Sequence, residues 1–508
     1  MTAPAADVIV VGAGGSGAPL ARRLAERGAT VLLLEEGPVP APLSTLDASS
    51  LAAAMPGHPL AATFAAELAP GRPHTVVRGR VVGGSTAING GYFRRARAHD
   101  LDDWATTAGD ARWSAERTAP LWARLENDHD LGDHPGHGST GPMPVTRSAL
   151  DHPLSAALLA GGIELGLPVE HDKNASPQAP PGVGPTPTNT VGGERVSTAR
   201  AYLPGAPATL EVRGGHRVLQ VIVRAGRAVG VLAVAGSEAV QFSADLVVLC
   251  AGALSTPHVL MLSGIGPSAS LAAHGIPVVV DAPAVGARLD DHPQLVLPFA
   301  MPVETLSVAV DGALGVSLHA SSGVGGTASS VADLEVLALM RPLGRMLGTD
   351  DADAMLSLLV SPLRGSGGGR VELDPADALA PPRVRFNYAA TDDDRARLRS
   401  SARFAARLLE SAPLQSIGAV PVHRQVSNLD DEALDGWILA NLSTALHSCG
   451  TTPMGLDPAT SVVDGRGAVH GVVGLHVADV GMLPRAPTGG PAATAVLIGE
   501  LIADALAP

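Results

Sequence analysis

The protein is a chain of 508 residues with a formal net charge of −14 at pH 7, and its mean hydropathy is +0.22. The length allows more than one domain, and the negative charge argues against nucleic acid or an anionic membrane as a partner. No uninterrupted apolar run approaches the roughly 20 residues that a transmembrane segment requires, and no basic leader indicates a signal peptide. The two cysteines, Cys250 and Cys449, form no C-x-x-C pair, so we expect no disulfide framework, no metal site and a cytoplasmic location.

A glycine-rich turn near the N-terminus predicts a nucleotide-binding site. Val8 to Val11 are apolar and indicate a buried parallel strand. Gly12, Gly14 and Gly17 follow in the pattern G-x-G-x-x-G. The first glycine permits a tight turn, the second lets the backbone approach a pyrophosphate, and the third lets helix and strand pack closely.

The segment after these glycines completes a dinucleotide-binding pattern. Leu20 and Leu24 lie one turn apart on one face of the predicted helix, and Gly28 ends it. Thr30 to Leu34 predict a second buried strand, which leads directly into Glu35. An acidic residue about 20 positions past the glycines accepts hydrogen bonds from a ribose diol in such folds. The pattern therefore predicts a bound dinucleotide, and these residues alone do not distinguish FAD from NAD.

Small residues recur in a second segment, which reads TVVRGRVVGGSTAINGGYF from Thr75 to Phe93. Within it, Arg78 to Asn89 resembles the first signature of the glucose-methanol-choline (GMC) oxidoreductases, a segment that lies along FAD in that family. Gly252 to Pro267, GALSTPHVLMLSGIGP, resembles the second signature. Further segments that resemble the family follow the family's order along the chain: Arg195 to Leu203, Val285 to Pro293, Arg370 to Tyr388 and the C-terminal part.

The resemblance implies an α/β protein with two discontinuous domains. A Rossmann-type FAD-binding domain would be assembled from residues 1–105, 200–295 and 440–508. An α+β substrate-binding domain, built on a mostly antiparallel sheet, would comprise residues 106–199 and 296–439. A flexible linker between separate domains is the alternative interpretation of the Pro-rich and Gly-rich stretches in the middle of the chain.

The resemblance also implies a set of cofactor-binding residues. They are Gly12, Gly14, Ser16, Gly17, Glu35, Arg78, Val82, Gly84, Ser85, Asn89, Gly90, Asp479, Pro491 and Ala492. Some relatives attach FAD covalently through a histidine just before the signature asparagine, where this chain has Ile88, so we expect noncovalent FAD. In the family, the predicted helix Ala492 to Leu506 begins at the pyrimidine end of the flavin, where its partial positive charge would favour an anion.

The chemistry of alcohol oxidation identifies a candidate catalytic residue. A flavin enzyme must remove the hydroxyl proton and transfer a hydride to flavin N5, and an imidazole can accept that proton near neutral pH. His447, in the segment HSCGTTPMG, is similar to the general base of the family. A histidine among the 17 of this chain is otherwise more often a surface or core group, and the motif favours the catalytic interpretation.

One position departs from the family pattern. The second catalytic residue of the family, usually His or Asn, falls at Gly490, which has no side chain. Either His447 acts alone, or a residue from elsewhere in the chain supplies the second contact. The candidates that the sequence offers are His152, His171, His292 and Asn387.

Three functions are compatible with these motifs. The first is an FAD-dependent alcohol dehydrogenase, and the motif combination resembles the mycofactocin-associated members of the family. Its partners would be a small-molecule alcohol or a reduced peptide-derived redox cofactor, and a quinone or respiratory carrier as electron acceptor. An alcohol oxidase or a hydroxynitrile-lyase-like enzyme on the same fold is the second, and an FAD-binding electron-relay protein is the third.

Overall fold

The structure of the protein is a computed structural model that describes residues 6–40, 43, 50–175, 181–306, 308, 312–324, 331–348 and 355–506. In these described parts of the chain, the strands form two seven-stranded sheets and several smaller ones. We call the two large sheets the N-terminal sheet and the second sheet.

The N-terminal sheet combines parallel strands with an antiparallel extension. The predicted first strand forms over Ala6–Val11, and Val8 pairs in register with Val31 on one side and with Leu246 on the other. In spatial order the strands are Leu210–Arg213, Val31–Leu34, Ala6–Val11, Glu238–Leu249, Arg227–Ala235 and His216–Arg224, and Leu475–Val477 pairs with the end of Glu238–Leu249.

The strand Glu238–Leu249 is longer than the predicted segment Leu246 to Cys250. Its last residues lie between parallel partners, whereas its first half pairs antiparallel with Arg227–Ala235. The apolar run that the sequence shows covers only the part buried on both faces. The half that alternates between buried and exposed residues lacks such a run.

Helices cover the parallel part of the N-terminal sheet. The helix after the glycine turn forms over Gly17–Glu26 and packs its buried face against the last helix, Ala492–Leu506. The helix of the second signature forms over Gly252–Leu262. The sheet and these helices share one large apolar core, so the first and the last segments of the chain lie together.

The second sheet is antiparallel throughout its described strands, as the resemblance implies. The helix Asp392–Glu410 packs against it. In spatial order the strands are Val420–Pro421, Pro293–Ala300, Met355–Pro362, Leu334–Leu339, Leu314–Ala320 and Val183–Pro185, and Leu442–Thr444 also pairs with Pro293–Ala300. The predicted combination of a Rossmann-like domain and a substrate-binding domain is confirmed.

A smaller sheet joins segments that the sequence assigns to different domains. It contains Arg370–Glu372, Arg383–Arg385, Ala61–Glu67 and Pro73–Gly79 in that order. Residues 61–79 fall in the predicted FAD-binding domain and residues 370–385 in the predicted substrate-binding domain. The domain bounds therefore stay a prediction, because this sheet crosses them.

Shorter elements complete the described chain. The remaining helices are Ala98–Ala108, Ala115–Leu125, Pro153–Glu164, Thr198–Tyr202, Ser268–Ala273, Val303–Leu306, Leu343–Leu347, Ala412–Ser416 and Asp431–Asn441. The remaining strands are Glu126–Asp128, Met143–Arg147, Pro187–Thr188, Thr190–Val191, Glu194–Arg195, Ile265–Gly266 and Val280–Asp281. Among the described helices, none combines the length and the apolar character that crossing a bilayer would require.

Candidate active site

The predicted pyrophosphate turn is closed by direct backbone contacts. Gly12 has a φ of 99°, and a Cβ atom at this position would lie 2.5 Å from the carbonyl oxygen of Cys250. A Cβ at Gly17 would lie 1.9 Å from the carbonyl oxygen of Gly12. Side chains are therefore excluded from both positions, and the turn can bring the start of the first helix close to the strand ends. Ser16 is buried at the start of that helix.

The second glycine-rich segment packs directly on this turn. A Cβ at Gly84 would lie 2.8 Å from the Cα atom of Gly14, so the two backbones touch. Ser85 is exposed, and Asn89 and Gly90 are partly exposed. A Cβ at Gly90 would meet no atom within 4 Å, so open space adjoins this part of the segment.

Glu35 lies at the end of the second strand, where the sequence predicts a ribose-binding acid. Its two carboxylate oxygens accept hydrogen bonds from the backbone N–H groups of Ala13 at 3.0 Å and of Gly37 at 2.9 Å. Burial raises the pKa of the Glu35 carboxyl to about 7. The acid is thus fixed beside the glycine turn.

Two other predicted cofactor residues have structural partners within the protein. Asp479 accepts hydrogen bonds from the Gly252 N–H at 2.9 Å and from the Thr256 hydroxyl at 2.6 Å, which ties it to the start of a helix. Val82 is buried, and its N–H donates to the carbonyl oxygen of Pro38. A cofactor contact of either residue stays a prediction.

The start of the last helix lies beside the glycine turn, because a Cβ at Gly15 would lie 3.0 Å from the Cβ atom of Ala495. Pro491 and Ala492 are partly exposed, whereas Thr494 in the first turn is buried. The hydroxyl of Thr494 has no hydrogen-bond partner among the described residues. A buried hydroxyl without a partner is costly, and a hydrogen-bonding ligand at this helix end would relieve that cost.

His447 lies beside a second histidine, His292. Its Nδ1 atom is 2.9 Å from Nδ1 of His292, and the two rings are nearly perpendicular at 87°. Burial, with the nearby His292 and Arg78, lowers the pKa of His447 well below its usual value, so the ring is neutral at pH 7. The preceding Leu446 has a φ of 63°, a strained conformation of the kind that clusters at functional sites.

A buried carboxylate fixes the backbone of His447. Asp291 accepts hydrogen bonds from the His447 N–H at 3.1 Å and from the Ser448 hydroxyl at 2.6 Å. The guanidinium of Arg78 donates to the same Ser448 hydroxyl at 2.7 Å. Arg78, predicted to contact the cofactor, therefore lies next to the predicted base. Asp291 belongs to the segment Val285 to Pro293, but no local pattern in that segment assigns it a role.

Of the four candidates for the second contact, the structure places His292 beside His447. His152 accepts the N–H of Leu154 at the start of the helix Pro153–Glu164. His171 is exposed, and Asn387 has a φ of 55° and precedes a turn.

Gly490 faces both His447 and an aromatic ring. A Cβ at this position would lie 3.5 Å from Nε2 of His447 and 2.8 Å from Cδ1 of Tyr92. Tyr92 follows the signature segment but belongs to no catalytic motif, so the sequence alone did not point to it.

A cluster of Glu126, Asp128 and His137 has the spacing of metal ligands, but its charges are already balanced. Burial opposes protonation of His137, yet its hydrogen bonds to carboxylates raise its pKa to about 10. The guanidiniums of Arg95 and Arg147 pair with Glu126 and Asp128. The cluster is therefore an ion-pair network.

Comparison with known proteins identifies the family of this chain. Two domain models described as GMC oxidoreductase match residues 6–294 and 366–499. An uncharacterised GMC-type oxidoreductase of Rhodococcus erythropolis is 35% identical over 97% of both chains. An oxygen-dependent choline dehydrogenase of Klebsiella pneumoniae is 33% identical over 98% of this chain and 95% of that one. The crystal structure of pyridoxine 4-oxidase from Mesorbium loti superimposes with a TM-score of 0.88 at 28% identity, over 98% of this chain and 99% of that one.

Proposed function

The chain belongs to the GMC oxidoreductases, a family of FAD enzymes, and we propose that it oxidises a small-molecule alcohol with His447 as the general base. The observation that carries the proposal is the neutral imidazole of His447, with Nε2 towards Gly490 and Nδ1 against His292. The names of the relatives, a choline dehydrogenase and a pyridoxine 4-oxidase, support an alcohol as the substrate.

The residues present fit FAD as the cofactor. The touching glycine turns at Gly14 and Gly84, the open space at Gly90 and the unpartnered hydroxyl of Thr494 are the features that such a group would use. Bound FAD would supply the acceptor for the hydride of the alcohol. Ile88 packs in a small apolar cluster and offers no nucleophile, so we propose that the cofactor is bound noncovalently.

The histidine pair determines where a proton can be accepted. Two Nδ1 atoms at 2.9 Å share one hydrogen, so one ring donates and the other accepts. When His447 donates from Nδ1 to His292, its Nε2 carries a lone pair and can take the hydroxyl proton of the substrate. His292 then keeps its own proton on Nε2, an atom that is buried without a hydrogen-bond partner in the described part of the chain.

Asp291 would orient this base without contacting the substrate. One oxygen of its carboxylate accepts a hydrogen bond from the N–H of His447, and the other oxygen accepts one from the Ser448 hydroxyl. These contacts fix the backbone that carries the imidazole of His447. A base held in its reactive orientation accelerates proton transfer more than a mobile one does.

The electron acceptor has two candidates. Similarity to the mycofactocin-associated motifs supports reduced mycofactocin as donor and a quinone or respiratory carrier as acceptor. Oxygen is the second candidate, because the guanidinium of Arg78 places positive charge near His447 where Gly490 offers none. Stopped-flow mixing of substrate-reduced enzyme with air-saturated buffer, and in parallel with a quinone analogue, separates the two.

We expect anaerobic addition of a suitable alcohol to bleach the flavin of the holoenzyme, whereas a lyase or a relay protein would leave it oxidised. Choline, pyridoxine and benzyl alcohol are the first compounds to test. His447→Gln should slow this reduction by at least about two orders of magnitude, because a positioned general base contributes about 10²–10⁴-fold.

The control for this experiment is His134→Gln, which replaces a histidine in an exposed loop and should leave the rate unchanged. FAD content is measured in both variants. A His447→Gln enzyme that retains FAD and is reduced at the wild-type rate would exclude His447 as the base.

A further inference from the structure

The ring of Tyr92 occupies the space that a side chain at position 490 would need. The ideal Cβ position of Gly490 lies 2.8 Å from Cδ1 and 3.3 Å from Cε1 of this ring. The same position is 3.5 Å from Nε2 of His447. A substrate carbon whose hydroxyl reaches that Nε2 therefore lies close to the edge of the Tyr92 ring.

The hydroxyl of Tyr92 is fixed at the other end. It donates a hydrogen bond of 2.7 Å to the carboxylate of Glu335, on a strand of the second sheet. Nε2 of His319, on the neighbouring strand, approaches the same carboxylate oxygen at 3.0 Å. Two donors on one buried oxygen hold the ring in a single orientation.

The support for Glu335 continues deeper into the protein. Nζ of Lys173 donates to Nδ1 of His319 at 3.2 Å and to the carboxylate of Glu170 at 2.7 Å. Burial and nearby cations lower the pKa of His319, so this ring is neutral and can accept from Lys173 while donating to Glu335. The chain of contacts is internally consistent, with each donor facing an acceptor.

The surroundings of the Tyr92 ring are otherwise apolar. The ring belongs to a cluster with Leu314, Leu337, Leu339 and Met346, three of which stand on strands of the second sheet. Nothing in this cluster can take over the hydrogen bond that an Asn or His at position 490 would make. The Tyr92 ring, and not a polar side chain, therefore limits the space between position 490 and Nε2 of His447.

We propose that Tyr92 is a specificity-determining residue: its ring, fixed through Glu335, takes the place of a side chain at position 490 and limits the space beside the reacting carbon. The inference rests on the proposed alcohol oxidation at His447. Its consequence is that a second carbon substituent on the reacting carbon meets the ring, so secondary alcohols react poorly.

A stability cycle tests the shared space without relying on activity. Gly490→Ala alone should lower the melting temperature and the FAD content, because no Cβ tolerates an aromatic carbon at 2.8 Å. In a Tyr92→Leu background the same change should cost markedly less, which is the signature of two groups competing for one space. Equal costs in both backgrounds would contradict the proposal, whatever the enzyme's substrate. Tyr92→Met replaces Tyr92→Leu in the cycle should the latter not fold.

The specificity is tested with benzyl alcohol and 1-phenylethanol, which differ by one methyl group on the reacting carbon. Tyr92→Leu should raise the rate of flavin reduction by the secondary alcohol, relative to the primary one, at least tenfold. Tyr92→Phe keeps the ring but loses the bond to Glu335, so it should retain a preference for the primary alcohol that is weaker than that of the wild type.

An unchanged preference in Tyr92→Leu would overturn the proposed role of Tyr92. A wild-type enzyme that no alcohol reduces would instead contradict the proposed function. In that case the stability cycle still decides whether Tyr92 and position 490 share one space.

Discussion

At the scale of single residues, Glu35 shows how one carboxyl group can link folding to cofactor binding. Two backbone N–H groups approach its oxygens, yet burial still raises its pKa to about 7 from the ordinary 4.5. A carboxyl group with a raised folded-state pKa contributes stability that is present below about pH 4.5 and lost as the pH rises through 7. Ribose hydroxyls that donate to the charged form would offset this loss.

We therefore expect the apoprotein to lose stability relative to Glu35→Gln between pH 5 and pH 8, by up to about 3 kcal/mol. In the same range FAD should bind the wild type more tightly as the pH rises, whereas Glu35→Gln should show a flat profile. Urea unfolding and FAD titration measure the two effects. The control is Glu238→Gln in an exposed position, and parallel profiles for wild type and Glu35→Gln would refute the linkage.

At the scale of elements, the strand–turn–helix unit depends on the absence of a side chain at Gly17. Its ideal Cβ would lie 1.9 Å from the carbonyl oxygen of Gly12, so any other residue pushes the helix away from the strand. The helix Gly17–Glu26 also packs on the last helix, Ala492–Leu506. A shift here would therefore reach the opposite end of the chain.

Gly17→Ala should destabilise the protein by about 3 kcal/mol or more, through overpacking, and should lower its FAD content. The matched control is Gly436→Ala, in the exposed face of the helix Asp431–Asn441, where a Cβ would meet nothing within 4 Å. That change should stabilise by about 0.5–1 kcal/mol through helix propensity. Similar melting temperatures for the two variants would show that Gly17 is not required by packing.

At the scale of the whole molecule, Glu500 connects segments from distant parts of the chain. Its side chain is fully buried and accepts hydrogen bonds from Arg23 at 2.9 Å and from the Tyr202 hydroxyl at 2.8 Å. Arg124 pairs with it at 2.7 Å. One carboxylate on the last helix thus joins the first helix, a helix of the predicted substrate domain and the segment near residue 200.

Glu500→Ala should destabilise the protein by about 1–3 kcal/mol, because it leaves the buried hydroxyl of Tyr202 without its acceptor and removes the ion pairs of the partly exposed Arg23 and Arg124. Asp504→Ala is the control, since its ion pairs with Arg27 and Arg124 are partly exposed and such pairs contribute about 0–1 kcal/mol. Chemical unfolding of both variants measures the difference. Comparable losses would show that Glu500 contributes no more than a surface ion pair.

The local elements followed from the sequence because their signals are local. The turn at Gly12, the strand that ends before Glu35 and the helix Ala492–Leu506 depend on residues within a few positions of one another, and each forms close to its predicted place. The antiparallel second sheet was expected only from the family resemblance. Periodicity does not state which strands pair, since pairing depends on residues far apart in sequence.

The arrangement around His447 was decided by tertiary structure. The sequence offered His292 as one of four candidates, and only the packing of segments 155 positions apart brings its Nδ1 to 2.9 Å from that of His447. Tyr92, Glu335 and Gly490 carried no joint signal at all, because their relation depends on strand register and on the approach of separate layers. Local chemistry therefore determined which elements form and which residues can react, whereas the distances between those residues come from the packed core that holds the elements together.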